Sequence, residues 1–143
     1  MVFLNTKRFV NDLYDYLKKE GFTVFKVMGG RDMDYAERDL IMKQFRKGEI
    51  KFLICTNLLS RGIDIPGMNV MVNFDVPFIK DKDGFPIPDR ETYLHRVGRT
   101  GRFDTKGLAI TLINELEMDN EISVMNNFEE FFQNKLYEIT DIS

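Results

Sequence analysis

Five short apolar runs, at residues 2–4, 23–27, 51–55, 69–74 and 108–113, are separated by stretches whose apolar residues recur at helical spacing. That alternation is the strongest constraint in the chain. Strands alternating with helices build βαβ units, whose right-handed crossovers lay the strands parallel and cover both faces of the sheet. The expected fold class is therefore α/β, a mostly parallel sheet flanked by helices. Phe52, Leu53, Ile54 and Cys55 are apolar without interruption, as a strand covered on both faces requires. Cys55 within that run reads as a buried thiol rather than a nucleophile.

The helical stretches carry end signals. After Thr6, the residues Phe9, Val10, Leu13, Tyr14 and Leu17 share a face, and Gly21 stands where a C-terminal cap belongs. Residues 28–32 read as a loop. Asp34 and Glu37 have capping-box spacing, and the helix they predict carries Leu40, Ile41 and Phe45 inward and stops at Gly48. A short helix is expected at 91–97 and a closing one at 115–134. The stripe of Ile122, Met125, Phe128, Phe131 and Phe132 on the closing helix reads as core. Residues 78–91 hold Asp81-Lys82-Asp83-Gly84 and Pro86-Ile87-Pro88, turn formers that predict a surface loop. A calcium loop would need a third acidic or amide ligand before the glycine, and it is missing.

Composition narrows the function. With 43% hydrophobic residues, 143 residues can bury one core, so a single domain over residues 1–143 is expected. No apolar run approaches the roughly 20 residues of a membrane span and the N-terminus lacks signal-peptide character, so the expected location is intracellular, with no membrane partner. Met1 reads as a residue added ahead of the natural sequence. One cysteine excludes an internal disulfide, and one histidine offers no metal-ligand cluster. A net charge of −3 requires any basic surface to be local, with Lys7, Arg8, Arg61, Arg96, Arg99, Arg102 and Lys106 as candidates.

The chemistry concentrates in two stretches. His95-Arg96-Val97-Gly98-Arg99-Thr100-Gly101-Arg102 sets three guanidinium groups three residues apart behind the only histidine. Such groups can each take two phosphate oxygens, and glycines allow close backbone approach. A merely solvated helix would gain nothing from Gly98 and Gly101. Thr56-Asn57-Leu58-Leu59-Ser60-Arg61-Gly62-Ile63-Asp64 follows a strand and offers phosphate donors, with Asp64 able to accept from a sugar hydroxyl. Ligands of parallel sheets bind beyond the carboxyl ends of the strands, and these motifs all follow strands.

Together with Val2-Phe3-Leu4-Asn5-Thr6, with Arg38, and with Phe45-Arg46-Lys47-Gly48, these stretches resemble the ordered motifs of the second, C-terminal RecA-like lobe of DEAD-box RNA helicases. The resemblance covers essentially the whole chain. It implies a three-layer RecA-like domain and an ATP-dependent RNA helicase, with ATP hydrolysis coupled to RNA unwinding or RNP remodelling. Within the family, Thr56-Asn57, Val72-Asn73-Phe74-Asp75-Val76-Pro77 and the long segment before Tyr93 resemble the mRNA-export branch. That branch implies nuclear-pore and mRNA-export factors as partners, and a location in cytoplasm and nucleus or at the nuclear pore.

The resemblance also implies roles. Arg99 and Arg102 match the arginines that reach the ATP γ-phosphate, and His95 matches the histidine that links this lobe to the other. Gly62 and Asp64 match the ribose site of ATP. Asn5, Thr6, Arg8, Gly29, Thr56 and Arg61 match or adjoin positions that touch RNA sugar and phosphate, contacts that carry no base sequence. The chain departs from the family's usual residues at Arg31, in place of glycine, at Tyr35, in place of glutamine, and at Asp104, in place of glycine.

No Gly-x-x-x-x-Gly-Lys-Ser/Thr loop and no Asp-Glu-Ala-Asp quartet occurs in the sequence. An N-terminal RecA-like lobe in cis is expected to supply the P-loop and to hold Mg²⁺, and this polypeptide alone is expected to be inactive. Two other readings stay open: a non-catalytic RecA-like module that binds RNA or protein, and a DNA-directed helicase lobe. A P-loop in a preceding lobe separates the first from the helicase reading, and dependence on the 2′-hydroxyl separates the second.

Overall fold

The computed structural model describes residues 1–57, 68–100 and 106–139. In chain order they form β1 (Val2–Leu4), α1 (Lys7–Lys19), β2 (Phe25–Val27), a 3₁₀ turn (Gly30–Asp32), α2 (Tyr35–Arg46), β3 (Leu53–Thr56), β4 (Val70–Asn73), β5 (Phe78–Lys80), β6 (Pro86–Pro88), α3 (Arg90–Val97), β7 (Leu108–Thr111), a second 3₁₀ turn (Glu115–Glu117) and α4 (Met118–Phe132). Among the described residues the main sheet has the order β2-β3-β1-β4-β7, and every pairing in it is parallel. The expected α/β architecture is the observed one.

Alternation along each strand assigns the faces. Val2, Leu4 and Ile54 point toward α1 and pack with Val10, Val24 and Met28. Phe3, Leu53, Cys55 and Met71 point the other way, into a cluster with Met42, Met33 and Ile50 that Ile41, Phe45 and Val97 also join. A third cluster, of Val76, Tyr93, Val124 and Phe128, ties α3 to α4. Met1 also packs into the core. Cys55 is fully buried, and burial pushes its thiol up to about 12, which leaves it no nucleophilic character at neutral pH.

The helix starts follow local capping. The Thr6 side chain accepts from the Phe9 amide at 3.2 Å, and Asp34 accepts from the Ala36 amide at 3.1 Å. The latter is a bond to the second helical residue, in place of the expected capping box. Gly21 and Gly48 take positive φ, +86° and +75°, at the ends of α1 and α2.

Several expectations need correction. Leu40 does not point inward: it is 57% exposed, and Met42 fills the core instead. Ile122 and Phe131 of the expected apolar stripe are exposed, while Val124 is buried. β1 spans its whole apolar run, the other four strands of the main sheet are shorter than theirs, and the 28–32 loop contains a 3₁₀ turn. The closing helix begins at Met118, after a 3₁₀ turn.

Residues 78–88 are not an irregular loop but an antiparallel hairpin, with Phe78 opposite Pro88, Ile79 opposite Ile87 and Lys80 opposite Pro86. Its turn is closed by the Asp81 amide donating to the Phe85 carbonyl at 2.9 Å, with Gly84 at φ +87°. The Asp81 carboxylate accepts from the Asp83 and Phe85 amides, so it serves the turn. Two prolines hid the strand from sequence reading. Proline is tolerated on a two-stranded ribbon, where each strand is an edge.

Candidate functional site

The carboxyl ends of the strands converge on one polar edge. Leu4 lies opposite Thr56 and Phe3 opposite Asn73, so Asn5 and Asn57 emerge side by side, with Asp75 beyond Asn73. The Asn5 amide donates to the Asp75 carboxylate at 2.8 Å, and its side-chain amide donates to the Val76 carbonyl at 2.9 Å.

Helix α3 reaches this edge from outside the sheet. Asp89 caps it by accepting from the Thr92 amide at 3.0 Å. Tyr93 stacks on Phe128 with ring centroids 4.2 Å apart, and Arg90 donates to the Asn127 side chain while lying over Phe131. Thus α4 holds the first turn of α3. The last turn is held by Arg96.

Arg96 corrects the sequence reading, which placed it among surface cations. It is fully buried. Its guanidinium donates to Asn5 Oδ1 at 2.7 Å, from Nε to Asn57 Oδ1 at 2.9 Å, and from Nη1 to Asn73 Oδ1 at 3.0 Å and to the Asp75 carbonyl at 3.2 Å. Among the described residues one carboxylate lies within ion-pair reach, Asp75 Oδ1 at 3.7 Å. Burial pushes the Asp75 carboxyl up, and the Asn5 amide and the Arg96 charge pull it partly back. No sequence signal separated Arg96 from Arg99 and Arg102, because equal spacing says nothing about which side chain turns into the sheet.

The expected site residues fall into three groups. Asn5 accepts from Arg96 at the edge, Thr56 ends β3 there, and His95 and Arg99 flank Arg96 along the chain. Thr56 is buried, and its hydroxyl makes no hydrogen bond with the described residues; His95 is half-buried, with Nδ1 likewise lacking a partner there. Arg99 is half-buried, and its amide donates to the Arg96 carbonyl at 3.2 Å. Thr6, Arg8 and Gly29 lie on the flank. Thr6 is exposed at the start of α1, Arg8 is exposed with Asp12 3.8 Å from its Nε, and Gly29 is buried just after β2. A Lys7–Asp32 ion pair ties the start of α1 to the turn after Gly29, and the hydrogen bond from Lys7, with its charge, holds the exposed Asp32 carboxyl below its usual range. Arg61, Gly62, Asp64 and Arg102 lie outside the described residues.

Gly98 has a local cause. It ends α3 with its amide donating to the Leu94 carbonyl at 2.8 Å, and a Cβ on it would lie 2.8 Å from that same oxygen. Replacing Gly98 by alanine is therefore expected to shift the α3 terminus and cost about 1–3 kcal/mol, read as a lower urea midpoint.

A parallel sheet with helices on both faces and a polar, arginine-centred carboxyl edge agrees with the RecA-like lobe that the resemblance implies. Residues 1–104 match the family described as the helicase conserved C-terminal domain. The chain is 39% identical to a solved C-terminal domain of the DEAD-box protein Dbp5, with a TM-score of 0.77 over 94% of this chain and 70% of that one. It is also 39% identical to S. cerevisiae Dbp5 bound to RNA and ADP BeF3, with a TM-score of 0.81 over 94% of this chain and 32% of that one. The ATP-dependent RNA helicase eIF4A of Pyricularia oryzae is 40% identical over 139 residues, 97% of this chain and 31% of that protein. The chain belongs to the helicase conserved C-terminal domain family, as a C-terminal lobe of the DEAD-box kind. It spans about a third of the length of the curated relatives it matches.

Proposed function

We propose that this chain is the C-terminal lobe of an ATP-dependent RNA helicase, in which ATP and RNA together close two RecA-like lobes across the carboxyl edge described above. The observation that supports the reading is that His95 and Arg99 flank the buried Arg96, whose guanidinium donates to Asn5 at the strand ends, within a family whose relatives are named ATP-dependent RNA helicases. Arg99 and Arg102 meet the transferring phosphate, Gly62 and Asp64 the ribose, and Asn5, Thr6, Arg8, Gly29, Thr56 and Arg61 the RNA backbone. One bent strand is held and its partner, or a bound protein, is displaced. Hydrolysis and product release then reopen the cleft.

Mg²⁺ is assigned to the N-terminal lobe, which is to supply the Asp-Glu-Ala-Asp quartet that this sequence does not contain. Action in mRNA export at the nuclear pore is the finer reading. It rests on the resemblance of residues 56–57, 72–77 and 78–91 to that branch, and yeast Dbp5 is solved bound to nup159 and gle1. The eIF4A relatives, at the same level of identity, support the helicase reading without the export one.

The test is ATP turnover by the full-length protein with and without single-stranded RNA. Turnover is expected to depend on RNA and to persist poorly when DNA of the same sequence replaces it. Absence of turnover under both conditions would instead favour a non-catalytic binding module.

A further inference from the structure

Arg96 is the largest fully buried side chain among the described residues, yet the proposed function gives it nothing to bind. Its guanidinium joins the ends of three strands: Asn5 after β1, Asn57 after β3, and Asn73 with Asp75 at the end of β4. A fourth strand enters through Asn73, whose side-chain amide donates to Thr111 Oγ1 of β7 at 3.0 Å. Asn5 and Asn57 open two of the loops that carry the expected RNA contacts. Arg99, expected at ATP, hangs one turn beyond Arg96 from the same backbone.

We infer that Arg96 is a positioning residue that couples the RNA-facing loops to the arginines that meet ATP, an inference that rests on the reading proposed above. The guanidinium is planar and its donors are fixed in direction, so a shift of either loop must turn the fork or break a bond. The acceptors are equally constrained. Asn5 and Asn73 each point an oxygen at Arg96 because their amide nitrogens are held elsewhere, by the Val76 carbonyl and by Thr111. Charge attraction alone would not give this: among the described residues, amide oxygens on Arg96 outnumber carboxylates within ion-pair reach, where Asp75 stands 3.7 Å away. The junction therefore specifies geometry, and the geometry it specifies spans both halves of the site.

A residue that only stabilised the lobe would lower its melting point and leave the linkage between RNA and ATP intact. The experiment measures the affinity of the full-length protein for a non-hydrolysable ATP analogue, with and without saturating single-stranded RNA, in wild type, Arg96→Lys and Asn73→Ser, alongside the thermal midpoint of each. Lysine keeps the charge near Asp75 but cannot bridge three asparagines; serine removes one acceptor at a residue expected to touch neither ligand. Coupling factors between sites are typically about 5 to 150. Wild type is expected in that range and both variants below about twofold, with affinity for the analogue alone within about threefold of wild type. Full coupling in a variant of lowered melting point overturns the inference. If Arg96→Lys does not fold, Asn73→Ser decides by the same criterion. A wild-type protein in which RNA leaves analogue affinity unchanged overturns the helicase reading itself, and so differs from a failure confined to the variants.

Discussion

Replacing Arg99 by alanine in the full-length protein is expected to lower RNA-stimulated ATP turnover about 10³-fold or more while ATP binding persists. An arginine that meets the transferring phosphate stabilises charge that develops only in the transition state, and in other NTPases it is worth about 10³ to 10⁵ in rate. The fold gives Arg99 a fixed mount for this proposed role. Stacking of Tyr93 on Phe128 and the buried fork of Arg96 fix both ends of α3, so the residue that follows Gly98 leaves a rigid support. Lysine at this position should not restore the rate, since it keeps the charge and loses the planar pair of donors. The decisive comparison is kcat against the ATP affinity measured by direct binding. A large fall in kcat at unchanged affinity assigns Arg99 to the transition state, whereas weakened affinity at unchanged kcat makes it an ordinary phosphate ligand. Arg102, read from sequence in the same role, is expected to behave alike.

Much of this lobe was legible in the sequence because its central strands, β1 and β3, are buried on both faces and its helices are not. Residues 51–55 could be little else than a central strand, and β3 lies between β2 and β1. What stayed hidden was hidden for physical reasons. The hairpin at 78–88 carries prolines that look prohibitive until the ribbon proves to be all edge. Leu40 and Met42 sit two residues apart on α2, and a helical pattern in which apolar residues nearly encircle the axis does not choose between them. The site shows the same limit. Arginine spacing announced phosphate chemistry, but a buried arginine and an exposed one have the same letter. Only the register that brings Asn5, Asn57 and Asn73 together reveals that one of the three serves the sheet.

That division predicts a second large effect, on stability. Arg96→Leu should destabilise this 143-residue chain by about 3–5 kcal/mol at neutral pH, the usual cost of removing one partner from a buried charge pair. Leucine fills part of the space but leaves Asp75 without its counter-charge and strands the side-chain oxygens of Asn5 and Asn73. Against a total of about 5–15 kcal/mol, a loss of this size would move the urea midpoint far to the left. Its pH dependence separates the two causes. The folded-state pKa of Asp75 already lies above its unfolded value through burial, and losing Arg96 raises it further. A carboxyl shifted upward binds its proton more tightly in the folded state, so it favours folding below its unfolded pKa and loses that contribution as pH rises through the folded one. The deficit of Arg96→Leu relative to wild type should therefore shrink from pH 7 toward pH 4.5, and Asp75→Asn in the same background should recover part of it at pH 7. A deficit that stays constant across this range, unrelieved by Asp75→Asn, would assign the cost to the stranded amides and leave the charge pair with little part in holding the strand ends together.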